Sequence, residues 1–187
     1  MTRTDHETAQ FGGAFAHLRL VIIGIAAAGV LLCAWLLVIR DTGSSSGSKP
    51  VASSARDIHA LPDSVGHAVY WAGARPSVTY ELTRTSRGYV YIRYLPQGVE
   101  VGDKRPDFLT VGTYPKPNAY ASIEKAAKRK GEIVRTIGNG GLAVAAPERP
   151  QSVYFAFPGS DLLVEVYDPS AAKALQAVVS GKVTQIR

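Results

Sequence analysis

Nine tyrosines, all between Tyr70 and Tyr167, are the side chains of this chain best suited to recognition. An aromatic ring with a polar tip buries apolar area and keeps one hydrogen-bonding group for a ligand. Tyr89 and Tyr91 alternate along one predicted strand and share a face, with Tyr80 expected to meet them across a hairpin. Filling the core of a small sheet is the competing use of the same rings. Lys125, Lys128, Arg129 and Lys130 form a second candidate binding surface on a predicted helix. Such a cluster suits anionic headgroups or wall polymers through long-range, salt-sensitive attraction. A plain solvated helix face is the simpler account of it.

Signals for catalysis and metal binding are weaker. His59 and His67 lie near Asp57 and Asp63, and two imidazoles with two carboxylates are metal-ligating types. Their spacing matches no compact site, so ordinary surface residues are expected. Glu81, Glu165 and Asp168 sit in or beside predicted strands, where a sheet could pair two carboxylates for hydrolysis. Glu81 alternates with Tyr80 and Leu82, which predicts a strand residue facing solvent. The chain has no His-Glu-x-x-His motif. Gly138-Asn139-Gly140-Gly141 lacks the lysine of a phosphate loop and opens a strand, so it reads as a turn. No catalytic residue, metal or cofactor is assigned.

The elements that must position these residues are strand-rich. Ser77–Arg84 and Gly88–Tyr94 carry β-branched and aromatic residues around Thr85-Ser86-Arg87-Gly88, which predicts a hairpin. Phe108–Tyr114 is a further strand. Asn118 is placed to cap a helix over Ala119–Lys130 that ends at Gly131. Glu132–Ile137 and Leu142–Ala146 form a second predicted hairpin, followed by strands at Ser152–Phe157 and Leu162–Tyr167. Ser170 caps a last helix over Ala171–Val179, and Lys182–Ile186 closes the chain as a strand. Two alanine-rich helices among these strands predict an α+β domain, an antiparallel sheet with both helices packed on one face. Val90–Pro96 is loosely echoed by Val153–Pro158, and Asp107–Pro115 by Asp161–Tyr167. Whether the domain is two repeated hairpin-strand-helix-strand units stays open.

Ahead of this domain, Leu20–Ile39 holds twenty consecutive positions without a charge. At about 1.5 Å per residue that length matches the roughly 30 Å hydrocarbon core of a bilayer. It is longer than a signal-peptide core and exits without a small-x-small cleavage pattern. Residues 20–39 are therefore predicted as one transmembrane helix, partnered by the lipid bilayer. Residues 1–19 are predicted as a short cytoplasmic tail, 40–56 as a flexible Gly/Ser linker, and 57–187 as the exported domain. Positive charges flank both ends of the span about equally. The inside placement of the tail follows instead from everything foldable lying after the span. The lone Cys33 lies within the span and leaves the domain without a disulfide. From Asp57 onward, 16 Lys and Arg stand against 12 Asp and Glu, within a chain of net charge +6. That mild excess on an exported domain excludes nucleic acid as a partner.

The run Leu61-Pro62-x-x-Val65-Gly66-His67-x-Val69-Tyr70-Trp71-Ala72-Gly73, with Tyr80–Arg84 and Arg93–Pro96, resembles a group of uncharacterised bacterial proteins. These have a single membrane anchor and a small exported domain. The resemblance covers Leu61 to the C-terminus, implies location and architecture, and transfers no site residue. The expected function is a non-catalytic, membrane-anchored binding or interaction module of the cell envelope, partnered by an envelope protein, a wall polymer or anionic headgroups. The alternatives are an envelope hydrolase with an unlocated active site, or a small signalling subunit of a membrane complex.

Overall fold

A computed structural model describes residues 48–186. Among them, ten strands make two antiparallel sheets. The larger is built from β1 (Val51–Ser53), β3 (Val78–Arg84), β4 (Val90–Pro96), β5 (Thr110–Pro115), β6 (Ile133–Ile137), β7 (Gly141–Ala145), β8 (Ser152–Ala156) and β9 (Leu162–Tyr167). Its spatial order is β1-β3-β4-β5-β9-β8-β7-β6. A small second sheet pairs β2 (Val69–Trp71) with β10 (Thr184–Ile186). The helices are short: α1 (Ala55–His59), α2 (Leu61–Val65), α3 (Ala119–Ala127) and α4 (Ala171–Val179).

Alternation along each strand sorts the side chains onto two faces. Tyr80, Leu82, Val90, Ile92, Tyr94, Val111, Val153, Phe155, Val164 and Val166 belong to one packed cluster. Against that face lie Ile58 of α1, Leu61 of α2, the three residues of β2, and Ala174, Ala177 and Val178 of α4. Phe155 at its centre is 1% exposed, and burial of one such ring favours folding by about 1.5–3 kcal/mol.

The expected sheet with both helices on one face is corrected by this arrangement. Ala119, Ile123 and Ala126 of α3 are buried, yet they stand outside that cluster. So do Val144, Ala156 and Leu163, the alternate residues of β7, β8 and β9. Helix α3 therefore covers the second face, across from α4. An apolar helical stripe specifies that a sheet must be met, and the connecting loops decide which side of it is reached. The two-unit repeat fails for a related reason. The meanders β3-β4-β5 and β7-β8-β9 meet at the β5·β9 pair, but β6 continues the large sheet beside β7 while β10 leaves to pair with β2. The result is one large antiparallel sheet with few helices.

Boundaries also shift. Val51–Ser53, assigned above to the linker, pairs with β3. Ser54 caps α1 through a reciprocal capping box with Asp57. The first long helix ends at Ala127, with Lys128 as its C-cap, rather than at Lys130, and Asn118 does not cap it through its side chain. Asn118 is in the left-handed region and donates its backbone N–H to Asp161 Oδ1 at 2.8 Å. Ser170 does cap α4, accepting from the Lys173 N–H. No helix of the described residues is long and apolar enough to cross a membrane. The predicted span at 20–39, the tail before it, linker residues 40–47 and Cys33 lie outside the described residues.

Candidate functional site

Of the residues singled out for chemistry, the second sheet face carries Glu81, Glu165 and Tyr91, and it uses the two carboxylates internally. Glu81 on β3 sits directly opposite Arg93 on β4. It is 1% exposed, not solvent-facing as its alternation predicts. The segment between β4 and β5 folds over it. One carboxylate oxygen pairs with the Arg93 guanidinium and the other accepts the Gly102 N–H. Arg93 also donates to the carbonyls of Asp103 and Arg105, at 2.8 and 2.9 Å, and lies over the Phe108 ring. A buried charge pair and two carbonyls thus tie this covering segment down.

At the edge of the segment Arg105 forms a two-pronged pair with Asp103. The Arg105 hydrogen bonds hold the Asp103 carboxyl down to about 2, well below its ordinary 3.8. A depressed folded-state value stabilises the fold above the unfolded value and stops doing so as pH falls through the folded one. Between about pH 4 and 2, the covering segment is expected to loosen before the sheet. Hydrogen exchange of the Arg105 and Gly102 amides checks this; protection unchanged down to pH 2 would contradict it.

Three strands from Glu81 on the same face, Glu165 of β9 is 3% exposed and accepts from two phenols. The Tyr114 hydroxyl is 2.6 Å from Oε2 and the Tyr154 hydroxyl 2.9 Å from Oε1. Burial first, and the Glu165 charge next, push both phenols above their ordinary value, so each keeps the proton it donates. The Tyr91 phenol is raised too, chiefly by burial. Its hydroxyl stands against Tyr114 with no well-formed hydrogen bond among the described residues. Tyr89 packs edge-on against Tyr114, the ring centroids 5.2 Å apart.

Tyr80, Tyr89 and Tyr91 are therefore not one aromatic ladder. Tyr80 is opposite Tyr94, on the core face, 6% exposed, and its hydroxyl accepts the Arg75 N–H. Tyr91 is 8% exposed on the other face and Tyr89 is half-buried beside it. Turn length sets this register: Arg84 meets Val90, which places Tyr91 across from Thr83. The carboxylates do not pair either. Glu81 and Glu165 are separated by three strand spacings, about 14 Å. Two carboxylates flanking a glycosidic bond stand about 5–9.5 Å apart.

His59 is exposed and meets the Trp71 ring edge-on at 4.8 Å. His67 bridges two backbone carbonyls, with Nδ1 2.8 Å from Ala68 O and Nε2 2.8 Å from Gly88 O. Among the described residues no three His, Cys, Asp or Glu side chains come together as a metal site. Gly138–Gly140 forms the tight turn of the β6–β7 hairpin.

Lys125, Lys128, Arg129 and Lys130 are all exposed, at and beyond the C-terminal end of α3. Cations there complement the partial negative charge of the helix end. Glu132 is beside them; its carboxyl is raised by burial and the Glu148 charge, and lowered by Arg129. Sequence reading missed two features: the Glu165 cradle and the groove beside the β3–β4 turn. The only trace of the first was tyrosine parity on β4, β5 and β8. No family model matches the chain, and no curated protein or solved structure is significantly similar to it.

Proposed function

We propose that this chain is a membrane-anchored, extracytoplasmic binding module of the cell envelope that works without catalysis. The observation that carries the reading is how the polar side chains are allotted. Tyr114 and Tyr154 satisfy Glu165, and Arg93 satisfies Glu81, while the cations of α3 face solvent. A surface of this kind attracts an anionic polymer, headgroup or acidic protein face through long-range forces. The bilayer enters through the uncharged run at 20–39, which hydrocarbon accommodates as a helix. Eight residues, 40–47, separate that run from Ser48. At about 3.5 Å per extended residue such a tether reaches no further than roughly 30 Å.

Alkaline carbonate extraction, with protease added to intact cells, tests the placement. The chain is expected in the membrane pellet, with its domain digested from outside. Recovery of the unprocessed chain in the aqueous fraction would overturn the reading. Crosslinking before solubilisation then identifies the partner. Replacing Lys125, Lys128, Arg129 and Lys130 together with glutamine is expected to lower the crosslinked yield severalfold at low salt and little at high salt.

A further inference from the structure

At the edge of the sheet near Ser48, the β3–β4 turn stands beside a shallow groove of about 330 Å³ lined by Ser48, Ser64, Val65, Arg84, Thr85 and Ser86. The turn is held from several directions. Gly88 N–H donates to Thr85 O at 3.0 Å, and Tyr89 N–H to Thr85 Oγ1 at 3.1 Å. Behind it His67 meets the Gly88 carbonyl. Both His67 nitrogens face carbonyl oxygens. Ser48 completes the frame, its hydroxyl donating to Arg84 O at 3.0 Å and accepting from Arg84 N–H at 3.2 Å.

What the groove offers is donors. Thr85 Oγ1 accepts from Tyr89, which leaves its own proton to give. Ser86 is exposed, with no hydrogen bond to another side chain among the described residues. Arg84 is exposed and reaches one side chain, Ser64 Oγ, at a long 3.5 Å. Arg93 and Arg105 have carboxylate partners. Among the described residues Arg84 and Arg87 have none. Asp63, exposed and next to Ser64 on α2, is the acidic neighbour. One guanidinium without a carboxylate partner, that of Arg84, and two hydroxyls on a fixed turn match an acceptor-only, multiply charged oxyanion.

We propose that this groove binds a phosphate group, with Arg84 as the principal ligand and Thr85 and Ser86 as supporting donors. The inference deepens the binding role proposed above and rests on it for the source of the ligand. A phospholipid headgroup is one source of such a group and free phosphate the other.

The test uses the full chain in neutral-detergent micelles, with backbone and arginine side-chain nitrogen resonances as the readout. Three probes are titrated: inorganic phosphate, a short-chain phosphatidylglycerol below its micelle concentration, and the matching phosphatidylcholine. Saturable shifts at Arg84, Thr85 and Ser86 are expected, with apparent affinity weakened about tenfold or more in Arg84→Gln. Lys173→Gln, on α4, is expected to leave them unchanged. Saturation by phosphatidylglycerol alone assigns the headgroup as ligand, and equal saturation by inorganic phosphate assigns the free anion. Absence of shifts with all three probes, or equal affinity in Arg84→Gln, overturns the site. Carbonate extraction is unaffected by either result, so failure of the groove and failure of the membrane placement stay distinguishable.

Discussion

Replacing Arg93 with methionine is expected to lower the unfolding free energy by about 3–5 kcal/mol, the cost of stranding a buried charge by removing its partner. Methionine fills much of the arginine stem's volume, so lost packing is a minor part of the effect. What remains is Glu81, 1% exposed, with the Gly102 N–H as its one other hydrogen bond. The carbonyls of Asp103 and Arg105 lose their donor in the same step. Urea unfolding followed by tyrosine fluorescence measures the loss. The paired change Glu81→Met with Arg93→Met removes the charge along with its partner and is expected to recover most of it. A single Arg93→Met variant within about 1 kcal/mol of the parent would show the pair to be solvated.

That pair also marks where sequence reading stops. Alternation around Glu81 is plain in Tyr80-Glu81-Leu82, and it places Glu81 on the correct face. It cannot report that residues 97–107 return to cover that face, because the covering is a tertiary event sixteen or more residues downstream. The β3–β4 hairpin was legible because β-branched strands and a four-residue turn are local features. Strands β1 and β2 were not: three residues each is too short for a period, and their partners are 27 or more residues away. The helix stripe of α3 was legible in Ile123 and Ala126, while its side of the sheet was not. The recognition surface expected of Tyr80, Tyr89 and Tyr91 presumed a shared face that the hairpin register denies to Tyr80. The groove at Arg84 was hidden for another reason, since it draws on Ser48 and Ser64, each from a different element.

The Glu165 cradle yields the second large effect, through a residue with no side chain. Gly112 on β5 is the direct cross-strand partner of Glu165. Tyr114, two residues on and on the same face, lies back over Gly112 to reach that carboxylate. A Cβ built on Gly112 would stand 2.5 Å from the Tyr114 hydroxyl oxygen and 2.9 Å from Cζ. Both distances are far inside van der Waals contact, so the ring must leave. Its departure breaks the 2.6 Å bond to Glu165 and leaves that carboxylate with the Tyr154 hydroxyl alone. Overpacking costs about 1–3 kcal/mol, and a lost hydrogen bond to a charged group about 1.5–3 kcal/mol. Gly112→Ala is therefore expected to destabilise the fold by roughly 3–5 kcal/mol. The two substitutions Gly112→Ala and Tyr114→Ala act on one contact, so their costs should fall well short of adding. In the double variant the methyl meets no ring, and nearly the whole cost should equal that of Tyr114→Ala alone. Full additivity in that cycle would mean the strand glycine serves backbone conformation, with Glu165 reached by Tyr114 whatever lies beneath it.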